Sequence, residues 1–305
     1  MRILITGATG FVGRNLLPAV LPAASSVRCL VRDPTASRAR DLERAGARLI
    51  SGDLSAEADL LPALDGIDVA YFLVHMMGSA NHGGANGFES AEVGAARRFA
   101  AAATKAGVER VVYLGGLGSD PSSPHLRSRH ATAGALAEHG PPLVYMRAGM
   151  AIGSGSDSYV LVRSAVERLL AVPDARWLHT ESQPIGIRDL VAYLRWAADP
   201  AYGEPGEVEL GGPDVVEHLD MLDATARALG RRPPRRVPAP LVTPQVMSAA
   251  AASLTKGDPR VASELILSLP VRTVVENPEP ARRYPVTPEP LSVALQRAIE
   301  ADELG

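Results

Sequence analysis

Three glycines spaced three residues apart, Gly7, Gly10 and Gly13, directly follow a short apolar run at residues 2–6. Such a run is typical of a fully buried parallel strand, and glycines in the next turn let the backbone approach a phosphate closely. Free N–H groups and the positive end of the following helix dipole favour an anion there. The spacing predicts a dinucleotide pyrophosphate site, although glycine turns also serve other folds. We expect it to be bordered by Thr9, Phe11 and Val12.

The residues after the predicted strands at 27–31 and 47–50 bear on which dinucleotide is bound. An acidic side chain after the second strand would bind the adenine ribose of NAD, whereas an arginine would neutralise the 2′-phosphate of NADP. Arg32 stands there, with Arg14 in the glycine turn as a second cation, and favours NADP(H) over NAD(H). Asp33 opposes this preference, because an acidic side chain there would suit NAD. The alternative is that Asp33 is a helix N-cap, with the proline that follows it at the first helical position. We expect Asp53 and Leu54 to close over the adenine; the alternative is an ordinary polar turn.

Further candidate site residues lie at or after the ends of the predicted strands at 69–74 and 143–146. His75 can act as a proton donor, because imidazole titrates near neutral pH, or it can only shape the pocket through a carbonyl hydrogen bond. We expect Val74, beside it, to contact the cofactor. Met77 and Met150 predict an apolar substrate wall, with core packing as the alternative. Tyr159 either presents a phenol to the substrate or packs in a helix.

Apolar runs alternate with helical patterns along the first half of the chain. This alternation predicts a doubly wound, Rossmann-type α/β fold with a parallel sheet, whose ligand lies across the carboxyl ends of the strands. An alanine-rich helix is predicted at residues 88–106 and ends at Gly107. The predicted strands are residues 2–6, 27–31, 47–50, 69–74, 110–114 and 143–146.

The pattern changes after residue 146, where a glycine- and serine-rich loop at residues 153–158 precedes helical segments and proline-rich connections. We predict a dinucleotide-binding domain over residues 1–150. A smaller, mostly helical substrate lobe is predicted over residues 151–305, and whether some of its segments return to the sheet is left open.

Composition narrows the functional classes. The 305 residues carry a net charge of -3, which gives no reason to expect a nucleic acid partner. Cys29 is the only cysteine, so no intrachain disulfide forms and a reducing compartment is expected. Met1 leads directly into the first strand, and no apolar run is long enough to span a bilayer, so we predict a cytoplasmic protein. No metal-ligand spacing is present among the histidines.

Several motifs together resemble the NAD(P)H-binding, NmrA-like branch of the atypical short-chain dehydrogenases/reductases. The resemblance covers nearly the whole chain and implies an extended dinucleotide-binding fold with a nicotinamide cofactor. It says less about the reaction, because most members of this branch lack a defined substrate. The motifs lie at residues 6–13, 52–54, 73–76, 112–118, 125–129, 147–149, 153–156, 183–185 and 211–214.

The chain departs from conventional members of that superfamily, which use a serine and a Tyr-x-x-x-Lys pair. Its only lysines, Lys105 and Lys256, both have alanine four residues earlier, so the pair is absent. The resemblance places Gly115 and Gly116 in the region of the missing serine, and His125 and Arg129 at the spacing of the tyrosine and lysine. Arg129 can bind a ribose or phosphate but stays protonated, whereas His125 is either a proton donor or a capping or surface residue.

Two functions from different classes remain open. The first is an NADPH-dependent oxidoreductase that transfers hydride to a small or medium apolar carbonyl, enone or imine, with His75, His125 or water as proton donor. The second is a non-catalytic NADP(H)-binding sensor of the NmrA-like kind that reports to a protein partner. A sugar epimerase or dehydratase is disfavoured by the missing tyrosine. A monomer and a homodimer are both compatible with the sequence.

Overall fold

A computed structural model describes residues 1–75, 84–118, 123–250 and 255–304 of the chain, with the backbone alone described at residues 84–90 and 124. The strands in these ranges are β1 (Arg2–Thr6), β2 (Ser26–Val31), β3 (Arg48–Ser51), β4 (Val69–Phe72), β5 (Arg110–Gly116), β6 (Leu143–Ala148), β7 (Ala151–Ile152), β8 (Ala171–Asp174), β9 (Glu181–Ser182), β10 (Ile185–Gly186), β11 (Gly206–Leu210), β12 (Val216–Glu217) and β13 (Arg235–Pro238).

The helices lie between these strands and in the last quarter of the chain. A short 3-10 helix, Arg176–His179, follows β8. The α-helices are α1 (Phe11–Val20), α2 (Ser37–Arg44), α3 (Glu57–Leu64), α4 (Gly84–Lys105), α5 (Pro124–His139), α6 (Asp157–Arg168), α7 (Ile187–Ala197), α8 (His218–Ala228), α9 (Pro244–Ala249), α10 (Pro259–Ser268), α11 (Glu279–Arg282) and α12 (Leu291–Leu304).

Seven strands form one parallel sheet in the order β11-β6-β5-β4-β1-β2-β3. The order reverses direction beside β1, as it does in doubly wound folds. The predicted Rossmann-type α/β fold is therefore confirmed. All six predicted strands are present; β4 ends two residues earlier than predicted, and β5 and β6 each continue two residues further.

Helices cover both faces of the sheet, so the strands are buried on both sides and read as continuous apolar runs. On one face, Leu16 of α1 and Leu194 of α7 belong to the core beneath the sheet. On the other face, Leu60 of α3 and Phe99 of α4 pack against the opposite side chains of the strands. The long α4 begins four residues before the predicted start and ends before Gly107, whose φ of +74° supports the predicted stop.

The second half of the chain does not stay apart from the sheet. Gly206 pairs with Val144 and Leu210 with Ala148, so β11 extends the sheet beside β6 in parallel. Three small two-stranded pairings, β7 with β10, β8 with β13 and β9 with β12, connect the remaining segments. A separate apolar core forms among α6, α8 and α12. The division into domains at residue 150 stays a prediction.

Candidate functional site

A cavity of about 930 Å³ opens at the carboxyl ends of the central strands. Its wall includes residues that follow β1, β2, β3, β4, β5 and β6, so it spans the point where the strand order reverses. This is the place where doubly wound sheets bind their ligands. The cavity continues from there between α6, α8 and α10 in the second half of the chain.

The glycine turn provides a close-fitting cradle at one end of the cavity. Gly7 has a φ of +71°, and a Cβ added there would lie 2.5 Å from the Leu73 carbonyl oxygen. A Cβ on Gly13 would lie 2.5 Å from the Gly7 carbonyl oxygen. The N-cap of α1 is Gly10, which has no side chain to cap the first-turn N–H groups. These groups border the cavity and fit the pyrophosphate of a dinucleotide.

Arg32, Asp53 and Leu54 lie at the adjoining part of the cavity. Arg32 is exposed. Asp53 accepts a hydrogen bond from the Ser55 N–H at 2.7 Å, and hydrogen bonds from Ser55, followed by the charge of Arg32, lower the pKa of its carboxyl group. A cation and an ionised carboxylate therefore stand side by side where the sequence predicts the adenine ribose.

Asp33 has a different role from the one predicted. Its carboxylate accepts hydrogen bonds from the Thr35 N–H at 2.8 Å and from the Thr35 hydroxyl at 2.6 Å. The following helix starts only at Ser37, with Ala36 as its N-cap. The helix N-cap interpretation is therefore wrong: Asp33 closes a local turn, because a short acidic side chain bonds readily to the backbone two residues ahead. Asp33 does not line the cavity.

Val74 and His75 line the cavity beyond β4, with Val74 partly buried and His75 exposed. Met150 also lines the cavity, after β6. Met77 lies outside the described residues. Tyr159 does not line the cavity: it is 1% exposed in the core of α6, α8 and α12, and its hydroxyl accepts a hydrogen bond from Arg163 at 3.4 Å. The structure therefore places Tyr159 in a packing position and not at a substrate wall.

His125 lines the cavity from the first turn of α5. Ser123 is the N-cap of this helix and accepts a hydrogen bond from the Leu126 N–H at 3.3 Å, so the capping is done by Ser123 and not by His125. Burial lowers the pKa of His125 to about 4. The imidazole is therefore neutral at pH 7, and its remaining N–H can donate a hydrogen bond to a substrate oxygen.

Arg129 lies one turn further along α5 and also lines the cavity. Its guanidinium is 3.7 Å from a carboxylate oxygen of Glu92 on α4, and the two side chains are only 4% and 1% exposed. Burial lowers the pKa of Arg129 to about 9, so the group stays protonated at pH 7. The sequence does not single out Glu92, because nothing in an alanine-rich helix indicates which distant residue its side chain meets.

Cys29 is buried and unpaired, and burial raises its thiol pKa to about 12. Within the described ranges, no cluster of three or more His, Cys, Asp or Glu side chains is arranged to hold a metal ion. No described helix combines the length and the apolarity needed to cross a membrane.

The fold and the glycine cradle define a Rossmann-type architecture with a dinucleotide-shaped site. The chain belongs to the NmrA-like family, whose model matches residues 1–157. This confirms the resemblance stated from the motifs.

Curated relatives match parts of the chain. A photosystem II assembly factor, Ycf39, of Cyanophora paradoxa is 49% identical over 23% of this chain. A ketoreductase of Stigmatella aurantiaca that acts on a farnesyl-bearing dihydroquinoline oxide is 35% identical over 37%, and an NAD(P)H azoreductase of Xenophilus azovorans is 30% identical over 40%. The chain covers only 21%, 33% and 38% of the lengths of these relatives.

Solved structures resemble the chain over nearly its full length. The NADPH-dependent quinone oxidoreductase of Escherichia coli, in complex with NADPH, has a TM-score of 0.77 at 18% identity, covering 97% of this chain and 99% of its own. The triphenylmethane reductase of Citrobacter sp., in complex with NADP(H), has a TM-score of 0.76 at 17% identity, covering 98% and 100%. At such identities the likeness establishes the shared fold.

Proposed function

We propose that the protein is an NADPH-dependent oxidoreductase that transfers hydride to a small or medium apolar carbonyl, enone or imine. One observation carries the proposal: a single cavity joins the glycine cradle to a second, largely apolar space between α6, α8 and α10. A cofactor and an apolar acceptor can thus meet within one cavity. Fixed orientation of the two reactants is a main contribution that a protein makes to cofactor chemistry.

The residues of the cradle end are suited to NADPH. The first-turn N–H groups of α1 would bind the pyrophosphate, and the exposed Arg32 would neutralise the 2′-phosphate. Asp53 and Leu54 would border the adenine end, while Val74, Gly115 and Arg129 line the cavity beside the inner strands. When bound, NADPH supplies the hydride.

Two histidines are candidates for contacting the acceptor oxygen. His125 is neutral because of burial, so its N–H would polarise a carbonyl as a hydrogen-bond donor without carrying a full charge. His75 is exposed at the cavity wall and can exchange protons with solvent. Arg129, held by Glu92, would bind a ribose hydroxyl or phosphate and would not move a proton.

The relatives support the reaction class. The Stigmatella aurantiaca relative is a ketoreductase, the Xenophilus azovorans relative is an azoreductase, and the Escherichia coli neighbour is an NADPH-dependent quinone oxidoreductase. All three are oxidoreductases, and the acceptors differ.

The test is oxidation of NADPH by the purified protein under anaerobic conditions, followed by nicotinamide absorbance against ketones, enones, quinones and imines. We expect acceptor-dependent oxidation with at least one of these classes. A Gly13→Val variant is the control, because its Cβ would lie 2.5 Å from the Gly7 carbonyl oxygen, so the cradle must distort and NADPH binding should be lost. Tight NADPH binding without turnover of any acceptor would contradict the enzyme and favour the sensor.

A further inference from the structure

The space between α6, α8 and α10 has a regular apolar wall. Helical residues four apart lie on one face, and both α6 and the α10 region present such a row to the cavity. We call this space the tail compartment. Its two rows are Leu161, Ala165 and Leu169 from α6 and its C-cap, and Val261, Leu265 and Leu269 from α10 and its C-cap.

The rows set the length of the tail compartment. Each row runs over about eight residue steps, which at a rise of about 1.5 Å per residue corresponds to about 12 Å of wall. With carbon–carbon bonds of about 1.52 Å, an extended alkyl chain advances about 1.3 Å per carbon, so about nine carbons match this length. A small carbonyl compound would leave most of the compartment empty.

The tail compartment offers little to a polar ligand. His218 lines it, but its Nε2 lies 3.0 Å from the Leu269 carbonyl oxygen and burial lowers its pKa, so the ring is uncharged and already hydrogen-bonded. Asp157 lines the cavity at the start of α6, where the charges of Asp258 before α10 and then of Arg38 on α2 act on it, so the ionisable groups gather where both helices begin and not along the two rows. A sugar or nucleotide in this space would leave its hydroxyl groups unsatisfied, which is costly.

We propose that the natural acceptor carries an extended hydrocarbon tail of about eight to ten carbons, which the tail compartment binds while the reducible group lies near His125 and Arg129. This inference rests on the proposed function for the position of the reducible group. It narrows the proposed small or medium apolar acceptor to a fatty-chain or prenyl-chain ketone, enone or quinone. Ala165, the smallest side chain in the two rows, then sets how far a tail can pass along α6.

Binding of straight-chain methyl ketones to the cofactor-free protein tests the tail compartment without any reaction. Trp177 lines the cavity, is partly buried, and its indole N–H donates to the Val242 carbonyl oxygen at 2.8 Å. Since the chain has two tryptophans, a Trp196→Phe variant leaves Trp177 as the fluorescent reporter. We expect the dissociation constant to fall about three- to fourfold per added methylene, up to a tail of about nine carbons, and then to level off. An affinity that does not depend on tail length would overturn the proposal.

A matched pair of variants locates the binding. Ala165→Phe places a ring in the compartment and should weaken the binding of long-tailed ketones at least about tenfold. The effect on the binding of ketones of about four or five carbons should be much smaller. Leu267→Phe is the control, because Leu267 is on α10 but is 39% exposed and does not line the cavity, and it should leave the whole series unchanged. Thermal unfolding and NADPH binding verify that both variants fold. If Ala165→Phe misfolds, Leu265→Ala provides the second test, with selective weakening of long tails expected. Equal effects on short and long ketones would contradict the tail compartment.

The experiments distinguish failure of the proposed reductase from failure of the proposed tail compartment. Tail-length-dependent binding without any NADPH oxidation would retain the tail compartment and reject the reductase. Reduction of short ketones with no gain from longer tails would retain the reductase and reject the tail compartment.

Discussion

The ring of Tyr145 on β6 lies directly behind Gly115 on β5. A Cβ added to Gly115 would be 2.7 Å from the Tyr145 Cε2 atom and 2.8 Å from its hydroxyl oxygen. The ring is held in place, because it stacks on Tyr113 with centroids 5.3 Å apart and its hydroxyl lies 3.2 Å from His130 Nδ1. The resemblance places Gly115 and Gly116 in the region of the serine of conventional relatives, and Tyr145 leaves no room for a side chain at Gly115.

Replacing Gly115 by serine should therefore destabilise the fold. Inserting atoms into a packed region costs about 1–3 kcal/mol, and the stacked Tyr145 ring has little freedom to yield. Gly116→Ser is the matched control: its Cβ would meet only the flexible Leu126 Cδ2 at 2.8 Å, so a smaller loss is expected. Urea unfolding of both variants measures the difference. Equal losses would show that Tyr145 does not set the constraint.

Arg32 should distinguish the two nicotinamide cofactors. Removing a charge-assisted contact costs about 1.5–3 kcal/mol, so Arg32→Ala should weaken NADPH binding by that amount and leave NADH binding almost unchanged. Titration calorimetry with both cofactors checks this. Arg44→Ala, at the far end of α2, is the charge-matched control and should alter neither affinity. An equal loss for NADPH and NADH would remove Arg32 from 2′-phosphate recognition.

His75 is the candidate that would take up a proton from solvent and donate it to the acceptor. If it donates the proton, His75→Phe should reduce turnover at least tenfold, because general acid catalysis contributes typically about 10²–10⁴-fold, while NADPH affinity survives. Single-turnover kinetics and a separate NADPH titration measure the two effects. Unchanged turnover would exclude His75 from the mechanism and direct attention to His125 or water.

His125 should make the folded protein sensitive to mild acid. Its pKa is about 4 in the folded state, against about 6.5 when unfolded, so the unfolded chain binds the extra proton first as pH falls. Its contribution to stability is therefore complete above about pH 6.5 and is lost progressively down to about pH 4. Between about pH 7.5 and pH 5 the wild type should lose about 2 kcal/mol more than His125→Phe.

Unfolding by urea at several pH values measures this difference. His139→Phe, at the exposed end of the same helix, serves as the surface control. A wild type and a His125→Phe variant with the same pH dependence would show that His125 is not buried in solution.

Glu92 should hold Arg129 at the cavity wall. Removing one partner of a buried ion pair costs about 3–5 kcal/mol, because the other charge stays buried, so Glu92→Gln should be strongly destabilising. The double variant Glu92→Gln/Arg129→Met should lose less stability than the sum of the losses of Glu92→Gln and Arg129→Met, since no buried charge remains. Thermal unfolding compares them. Additive losses would argue against direct coupling.

Local features of the chain could be predicted from the sequence. Three examples are the strand at residues 2–6, the glycine turn that follows it and the helix end at Gly107. Each depends on the backbone conformation of its own residues and their immediate neighbours, so residue type is enough to predict it. Arg32 and His75 could be placed because the ends of parallel strands meet at one edge. The sequence does not distinguish the two roles of Asp33, because both a helix N-cap and a local turn suit an aspartate before a proline.

The remaining features depend on contacts between distant segments. Glu92 and Arg129 meet only because α4 packs beside α5, and Tyr145 reaches Gly115 only through the pairing of β5 with β6. The apolar rows of the tail compartment read as ordinary amphipathic helices until α6 and α10 are seen to face one space. No single segment carries these relationships in its pattern.

The placement of β11 beside β6 also limits how this protein can be divided. Every residue of β6 is buried, and a fragment ending at residue 150 would expose the strand's unpaired N–H and C=O groups along a bare apolar edge. Such edges pair with other chains, so this fragment should aggregate on expression. Residues 151–305 therefore cannot be replaced as a block unless the replacement supplies a new strand to pair with β6, whereas single substitutions in the helices leave this pairing intact.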